Sequence, residues 1–252
     1  QEYPALVKTD SELRNLKQLY DLYLKVIDQI NQWRETAWCD LNPELLLEME
    51  EQINKFAEQC IRLPKDLKEW EAYKELKLEI DNFREILPLI QALKKPSIRP
   101  RHWKKIIEIT GKELNYEHED SFYLNDILEA KLLSHKEDIE DISDSADKQL
   151  KIESQLSEIE AYWKDAAFEF STWKTRDVPC VLNGNVVADI TERIDEDQQT
   201  LASLNAQRHV APFASRVQAK ILEISDVSET LDQWIKVQML WTNLEAVFMG
   251  GD

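Results

Sequence analysis

The chain has 252 residues, 43% of them hydrophobic, which is enough apolar material for one large or two modest folded domains. Its 49 acidic and 31 basic residues give a formal net charge of −18, which argues against nucleic acid and anionic membranes as partners. No apolar run approaches the roughly 20 residues needed to cross a bilayer, and three widely spaced cysteines favour a reducing compartment over a disulfide framework or a zinc site.

Few turns and long helices are expected, because the chain contains only four glycines. Thr9 and Glu12 form a capping-box pattern that predicts the start of a first long helix. A second helix is predicted to begin at the cap Asn42, with Pro43 in its first turn, and to end before Pro64. The predicted buried stripes are Leu13, Leu16, Tyr20, Tyr23, Ile27, Ile30 and Ala37 in the first helix, and Leu46, Met49, Ile53, Phe56 and Cys60 in the second.

A third helix is predicted ahead of Pro88, where proline should kink or end it. Its apolar stripe consists of Leu67, Trp70, Tyr73, Leu76, Ile80, Phe83 and Leu87. Three consecutive helices with short connections are expected to pack as an antiparallel bundle. Pro96 and Pro100 mark the expected boundary between a helical subdomain at residues 1–95 and a second at 96–252.

The second subdomain is predicted to begin with a short helix at residues 101–110, closed by Gly111. An acidic loop is expected at 115–121. Ser134 and Glu137 form another capping box, which opens a longer helix. The predicted stripe of that helix is Ile139, Ile142, Ala146, Leu150, Leu156, Ile159 and Trp163.

The pattern then changes from helical to alternating, which predicts a small β-hairpin at about residues 167–183. Its strands are expected at 167–173 and 178–183. A last helix is predicted from Pro212 to about Met249, and the helix before it carries Val187, Ile190, Ile194, Leu201 and Leu204. The predicted fold is therefore all-α, with elongated multi-helix bundles and one small β-hairpin.

No catalytic or cofactor motif is recognisable. Four scattered glycines cannot form a Gly-rich phosphate loop, and no two histidines stand at the i, i+4 spacing of a helical metal pair. We therefore expect no catalytic residue, no cofactor and no metal, and we do not expect this chain to be an enzyme. The segment Glu117–Asp120 could collect a divalent cation through its oxygens, but a solvated turn is favoured because the EF-hand spacing is absent.

A basic island in this acidic chain, Arg99–Lys105, could bind an acidic partner surface. The alternative, which we favour, buries Trp103 and Ile106 in a core and leaves the cations to neutralise neighbouring acidic helices. The chain contains eight tryptophans. Most are expected in the core, whereas an exposed subset would mark an interface.

The end of the chain carries the most informative pattern. Trp234, Trp241 and Phe248 stand seven residues apart, so they share one helix face and are expected to bury against another element. Gly250 and Gly251 can then end the helix in a left-handed cap. These features predict a packing surface and not a catalytic site.

Several blocks, taken in order, closely resemble the linker of dynein heavy chains. They are Leu63–Trp70, Asp81–Phe83, Leu87–Leu89, Arg99–Trp103, Tyr123–Asn125, Leu128–Ala130, Phe168–Gly184 and Trp234–Phe248. The ending Leu244–Asp252 is most similar to axonemal outer-arm chains of the gamma type. One departure is Ala219–Ile221, where many linkers carry a tryptophan, and the change would loosen one packing contact.

The resemblance implies the N-terminal part of the linker, a lever that passes ATP-driven changes of the AAA+ ring to the tail for microtubule-based ciliary movement. ATP hydrolysis would occur elsewhere in a longer parent chain. The implied partners are the AAA+ ring of the same heavy chain, the remaining linker and tail, and other dynein subunits of the axoneme in a cilium or flagellum. The alternative is a static helical scaffold or tether of the spectrin type, for which heptad seams would suffice, but no repeat period is evident.

The resemblance also selects candidate residues. The structural or interface candidates are Arg101, His102, Trp103, Trp234, Trp241 and Phe248. The bend of the lever is expected just beyond the last helix, with Gly250 and Gly251 as hinge residues.

Overall fold

The computed structural model describes residues 4–118, 121–174 and 176–249. These residues form eight α-helices and one two-stranded antiparallel sheet, which confirms the all-α class with a small hairpin. The helices are α1 (Pro4–Arg34), α2 (Pro43–Arg62), α3 (Glu71–Leu93), α4 (Pro100–Thr110), α5 (Leu124–Glu129), α6 (Lys136–Asp165), α7 (Gly184–Asn205) and α8 (Ala214–Met249), and the strands are β1 (Phe170–Ser171) and β2 (Val181–Leu182). Within the described ranges, no helix combines the length and the hydrophobicity that a membrane span requires.

By its internal contacts the chain divides into two compact units, residues 1–147 and 148–252. The division falls at Asp147 and not at the proline-containing segment, so the boundary predicted at residues 95/96 lies inside the first unit. The reason is local: Lys95 Nζ and Ser97 Oγ donate to the two carboxylate oxygens of Asp147, at 2.8 and 2.6 Å. These hydrogen bonds tie the segment into the first unit.

Helices α1, α2 and α3 pack against one another in the first unit. The predicted stripe of α2 is buried in full. Helix α3 continues through Pro88 to Leu93, so the proline does not end it. Burial of Leu89, Ile90 and Leu93 beyond the proline offsets its cost of about 3 kcal/mol within a helix.

Helix α1 differs from its prediction in two respects. It begins at Pro4, so Thr9 lies within the helix and does not cap it. Its buried stripe is Leu19, Leu22, Val26, Ile30 and Trp33, while Leu13 and Tyr20 of the predicted seam are exposed. The helix carries two overlapping apolar series that are offset by one residue, and both satisfy the 3–4 spacing. The partners in the bundle select between them.

A short backbone pairing, which the sequence did not predict, joins the end of α1 to the start of α5. Ala37 and Tyr123 form an isolated antiparallel bridge. Trp38 N donates to Phe122 O at 2.8 Å, and Leu124 N donates to the carbonyl of residue 36 at 2.9 Å. The pairing brings two distant aromatic side chains, those of Trp38 and Phe122, to the same place.

The second unit contains the end of α6, the hairpin, α7 and α8. Its core consists of Ile152, Leu156, Ile159, Leu182, Ile190, Ile194, Leu201, Leu204, Phe213, Val217, Ile224 and Leu231. Buried Asp197 on α7 accepts hydrogen bonds from Trp163 Nε1 at 2.7 Å and Arg193 Nε at 2.9 Å, so its charge is compensated. Helix α8 has 36 residues and is about 54 Å long at ~1.5 Å per residue.

The hairpin is shorter than predicted, with two residues in each strand. Phe170 pairs with Leu182 and Ser171 with Val181. Beyond Ser171 the backbone leaves the strand conformation, and Lys174 adopts a left-handed φ of 50°. Two residues, Thr172 and Trp173, separate the end of β1 from this left-handed position.

The N-cap of α2 provides a first test of the fold. Asn42 Oδ1 accepts a hydrogen bond from Leu45 N at 2.8 Å, so Asn42→Ala is expected to lower the free energy of unfolding by about 1 kcal/mol. Urea unfolding followed by circular dichroism measures the change. Asn243→Ala, at an exposed position within α8, is the control and should not destabilise the chain. Equal stability of the Asn42→Ala variant and the parent would contradict the cap.

Candidate functional site

The start of α4 brings together the first three candidate residues. His102, 1% exposed, accepts a hydrogen bond on Nδ1 from Arg99 N at 3.0 Å, so the imidazole satisfies a backbone donor at the helix N-terminus. Arg101 is half-buried and also interacts with other residues of the chain. His102 therefore shapes the entry into α4 from inside the fold.

Trp103, 7% exposed, lies at the centre of an aromatic cluster in the first unit. Its ring meets Trp38 and Phe122 edge-on, with centroids 5.6 and 5.7 Å away, and stacks on Tyr116 at 5.8 Å. Lys94 Nζ donates to Trp38 O at 2.7 Å and lies 5.2 Å from the centroid of the Trp38 ring. We call Trp38, Trp103, Tyr116 and Phe122 the aromatic cluster.

This cluster contains the apolar half of the basic island. Trp103 and Ile106 are core residues, as the favoured interpretation predicted. Lys104 and Lys105 point outward and are exposed. His102 and Trp103 of the Arg-His-Trp pattern are therefore buried, while the role of the exposed lysines stays a prediction.

The aromatic anchors of α8 are covered to different extents. Trp234, 39% exposed, packs on Phe168 and Phe170 of the hairpin segment, with centroids 6.1 and 5.7 Å away. Trp241 is half-buried beneath the guanidinium of Arg176, whose Cζ lies 5.2 Å from the ring centroid. Both anchors therefore contact the hairpin, as expected for a packing face.

Phe248 is 78% exposed, so the prediction that all three anchors bury is wrong for this residue. The described hairpin contacts reach along α8 only as far as Glu245, and Phe248 lies nearly one turn beyond. The hinge candidates Gly250 and Gly251 lie outside the described residues.

Two polar residues of α8, Gln238 and Glu245, complete the contact with the hairpin, and sequence reasoning missed both. Leu182 N donates to Gln238 Oε1 at 2.7 Å, which satisfies a backbone donor of β2. Trp234, Gln238, Trp241 and Glu245 follow one another at spacings of four, three and four residues, so they form a single stripe. We call these four residues the α8 stripe.

Glu245 on α8 contacts three side chains from the connection between the two strands, namely Trp173, Lys174 and Arg176. Its Oε2 accepts from Trp173 Nε1 at 2.5 Å and lies 3.4 Å from Lys174 Nζ, while Oε1 accepts from Arg176 Nη2 at 2.7 Å. The Glu245 side chain is only 8% exposed. A carboxylate near a helix C-terminus is unfavourable with the helix dipole, so these donors supply the compensation that it needs.

The same contacts set the acidity of Glu245. Burial alone would raise the pKa of this carboxyl, but hydrogen bonds from Arg176, Trp173 and Lys174 outweigh burial and lower the pKa below its ordinary value. A lowered pKa in the folded state means that the ionised form stabilises the hairpin contact. The stabilisation is present above the unfolded pKa and is lost as the pH falls through the folded pKa.

We therefore expect Glu245→Gln to loosen the hairpin at neutral pH, and acid to loosen it in the unmodified chain. Hydrogen exchange of the amides at 173–178 and 180–182 measures the loosening, and the variant should show faster exchange than the parent at pH 7. The difference should shrink as the pH falls through the folded pKa of Glu245. Glu229→Gln, at an exposed position of α8, is the matched control. Equal exchange in both variants at pH 7 would contradict the role of Glu245.

The described residues hold no group of three or more histidine, cysteine, aspartate or glutamate side chains arranged to bind a metal ion. Two members of the acidic segment considered as a cation site, Glu119 and Asp120, lie outside the described residues. The contacts of the aromatic cluster and of the α8 stripe are those of packing surfaces.

Comparison with known proteins gives a consistent result. Residues 6–252 match a family model described as "Dynein heavy chain, N-terminal region 2". Over 251 residues, 100% of the chain, the sequence is 40% identical to the "Dynein gamma chain, flagellar outer arm" of Chlamydomonas reinhardtii and 37% identical to "Dynein axonemal heavy chain 8" of Homo sapiens. It is 28% identical, over the same length, to the "Dynein beta chain, ciliary" of Tripneustes gratilla. The chain spans only 6%, 6% and 5% of these three relatives.

Proposed function

The chain belongs to the dynein heavy chain family, as its N-terminal region 2, and on this premise we propose that it is a non-catalytic mechanical linker segment of an axonemal dynein. In this role it passes ATP-driven changes of an AAA+ ring to the tail and so contributes to microtubule-based movement. The relatives named after flagellar outer arms and cilia support a location in the axoneme of a cilium or flagellum. Their similarity favours a gamma-type outer-arm chain.

The contact between the hairpin and the α8 stripe carries this proposal. A helix alone in water is marginally stable, so a helix that bears load needs lateral support. Aromatic packing at Trp234, a hydrogen bond at Gln238, a cation over Trp241 and a multiply hydrogen-bonded carboxylate at Glu245 give that support over three turns. The hairpin therefore stiffens the second half of α8 against bending.

The buried core of the first unit supports the same role. Three members of its aromatic cluster, Trp38, Trp103 and Phe122, are buried in the same core as the apolar faces of α1 and α3. Stiff pieces of this kind suit a lever, which must not deform internally while it moves.

The proposed partners are the AAA+ ring of the same heavy chain, the remaining linker and tail, and other dynein subunits of the axoneme. Of the interface candidates, His102 and Trp103 act inside the fold, while Phe248 and the exposed part of Trp234 remain available for contact. The bend of the lever is proposed at Gly250 and Gly251.

An ATPase assay tests the proposal that this chain is non-catalytic. The purified chain is expected to show no ATPase activity above buffer, because the proposal assigns hydrolysis to the ring of the parent motor. A complete heavy chain assayed in parallel is the positive control. Hydrolysis by the isolated chain at a rate close to that of the complete motor would overturn the non-catalytic role.

A further inference from the structure

A cavity of about 320 Å³ in the first unit lies between the end of α1, the middle of α3 and the turn that follows α5. Its volume is at the lower end of the range for small-ligand sites. The floor is apolar and buried, and consists of Ile30, Phe83, Ile86 and Leu132. The remaining polar lining includes two cations, Arg34 and Lys131.

Arg34 is the unusual member of this lining. Its Nε is fully buried and has no hydrogen-bond partner. Within the described residues, its guanidinium donates no hydrogen bond and forms no ion pair. Arg193, which is also half-buried, is paired, with its Nε 2.9 Å from Asp197, and even exposed Arg216 is paired, with its Nη2 2.6 Å from Glu160. A half-buried guanidinium without a carboxylate partner is costly, and its Nε is closed off by the fold, so we expect an anion from outside the fold to contact its terminal nitrogens.

Glu129, on neighbouring α5, does not supply the missing partner. Its Oε2 accepts from Lys112 Nζ at 2.6 Å, and its Oε1 accepts from Asn125 Nδ2 at 2.8 Å. Its pKa is lowered mainly by these two hydrogen bonds, and Arg34 contributes only through a weaker charge interaction. In a chain with an excess of acidic residues, Arg34 thus stays available for another anion.

Lys131 shows a second irregularity at the same cavity. It adopts a left-handed φ of 51°, which costs a residue with a side chain roughly 1–2 kcal/mol. Unfavourable backbone conformations of this kind cluster at binding sites. Here the conformation belongs to the turn that lines the cavity, and Asn82 and Ser134 lie at the same opening.

We propose that this cavity binds a carboxylate carried on a short apolar group. The guanidinium edge of Arg34 matches the two oxygens of a carboxylate, and Lys131 adds a second positive charge. The apolar floor accepts the hydrocarbon part. Glu79 also lines the cavity, and its negative charge disfavours a dianionic phosphate relative to a singly charged carboxylate.

The test is a titration of the 252-residue chain with 4-phenylbutyrate, followed by methyl NMR signals of Ile30, Ile86 and Leu132. Saturable shifts of these signals are expected, and the neutral analogue 4-phenylbutyramide should bind at least about tenfold more weakly, since it lacks the charge that Arg34 recognises. A second arm uses the peptide acetyl-Leu-Glu-Leu-amide. Tighter binding of the peptide would identify a polypeptide as the source of the carboxylate, and tighter binding of the free acid would identify a small molecule.

Variants distinguish specific recognition of the carboxylate from nonspecific binding. Arg34→Gln should weaken binding at least about tenfold, and Lys131→Asn, which tolerates the left-handed backbone, should weaken it less. Arg62→Gln removes an exposed arginine paired with Glu58 and should bind like the parent. Equal affinity for acid and amide, no saturable shift, or no effect of Arg34→Gln in a folded variant would each overturn the proposal. The proposed linker role does not depend on any of these outcomes.

Discussion

Replacement of Trp103 by alanine is expected to lower the free energy of unfolding by about 3–5 kcal/mol. The indole is almost fully buried and contacts three aromatic rings, so its removal leaves a cavity that the rigid neighbours Trp38, Tyr116 and Phe122 cannot fill. Urea unfolding monitored by circular dichroism gives the change from the shift of the midpoint.

Trp70→Ala is the matched control, because Trp70 precedes α3 and is substantially exposed. Its loss should be about 1 kcal/mol or less. If the two variants lost the same free energy, the aromatic cluster would not be the centre of the first unit.

The second large effect is expected in the complete motor. Trp234→Ala combined with Trp241→Ala removes the aromatic half of the α8 stripe and loosens the hairpin, which Gln238 and Glu245 alone then hold to the helix. A softened lever should reduce microtubule gliding severalfold while ATP hydrolysis by the ring stays close to that of the parent, because the substitutions lie outside the proposed site of hydrolysis. Gliding velocity and ATPase rate, measured on the same preparation, separate the two activities.

Leu222→Ala is the control for that experiment, since Leu222 is exposed on α8 and lies before the stripe. It should leave both rates unchanged. Gliding of the double variant at the parent velocity, with circular dichroism showing an intact fold, would contradict the mechanical role of the stripe.

Helices α1 and α2 show how far a sequence pattern predicts which face of a helix is buried. Helix α2 has one continuous apolar stripe and an Asn-Pro start, so both its beginning and its buried face were predicted correctly. Helix α1 has apolar residues on two adjacent faces, and only contact with its partners determines that Leu19 and Val26 are buried and Tyr20 is exposed. Periodicity alone contains no information about partners.

The α8 stripe shows the same limit of prediction from sequence. Trp234 and Trp241 attract notice because large aromatic side chains at a seven-residue spacing must pack on something. Gln238 and Glu245 stand at equivalent positions of the same face but resemble any solvated helix residue until the hairpin is seen to donate to them. The sequence did contain one signal, namely polar residues interleaved with the tryptophans at 3–4 spacing.

A lever moves and a static scaffold does not, so distance changes within a working motor distinguish the two roles. Cys180 is exposed on the hairpin segment and can carry a fluorescent donor once Cys39, the other exposed cysteine of the described residues, is replaced by serine. The acceptor is placed on the AAA+ ring of a complete heavy chain whose other reactive cysteines have been removed. If the chain relays force, energy transfer between the two dyes changes with each nucleotide state of the ring. Constant transfer through the ATPase cycle of a motor that still moves microtubules would contradict the lever and favour a static helical scaffold.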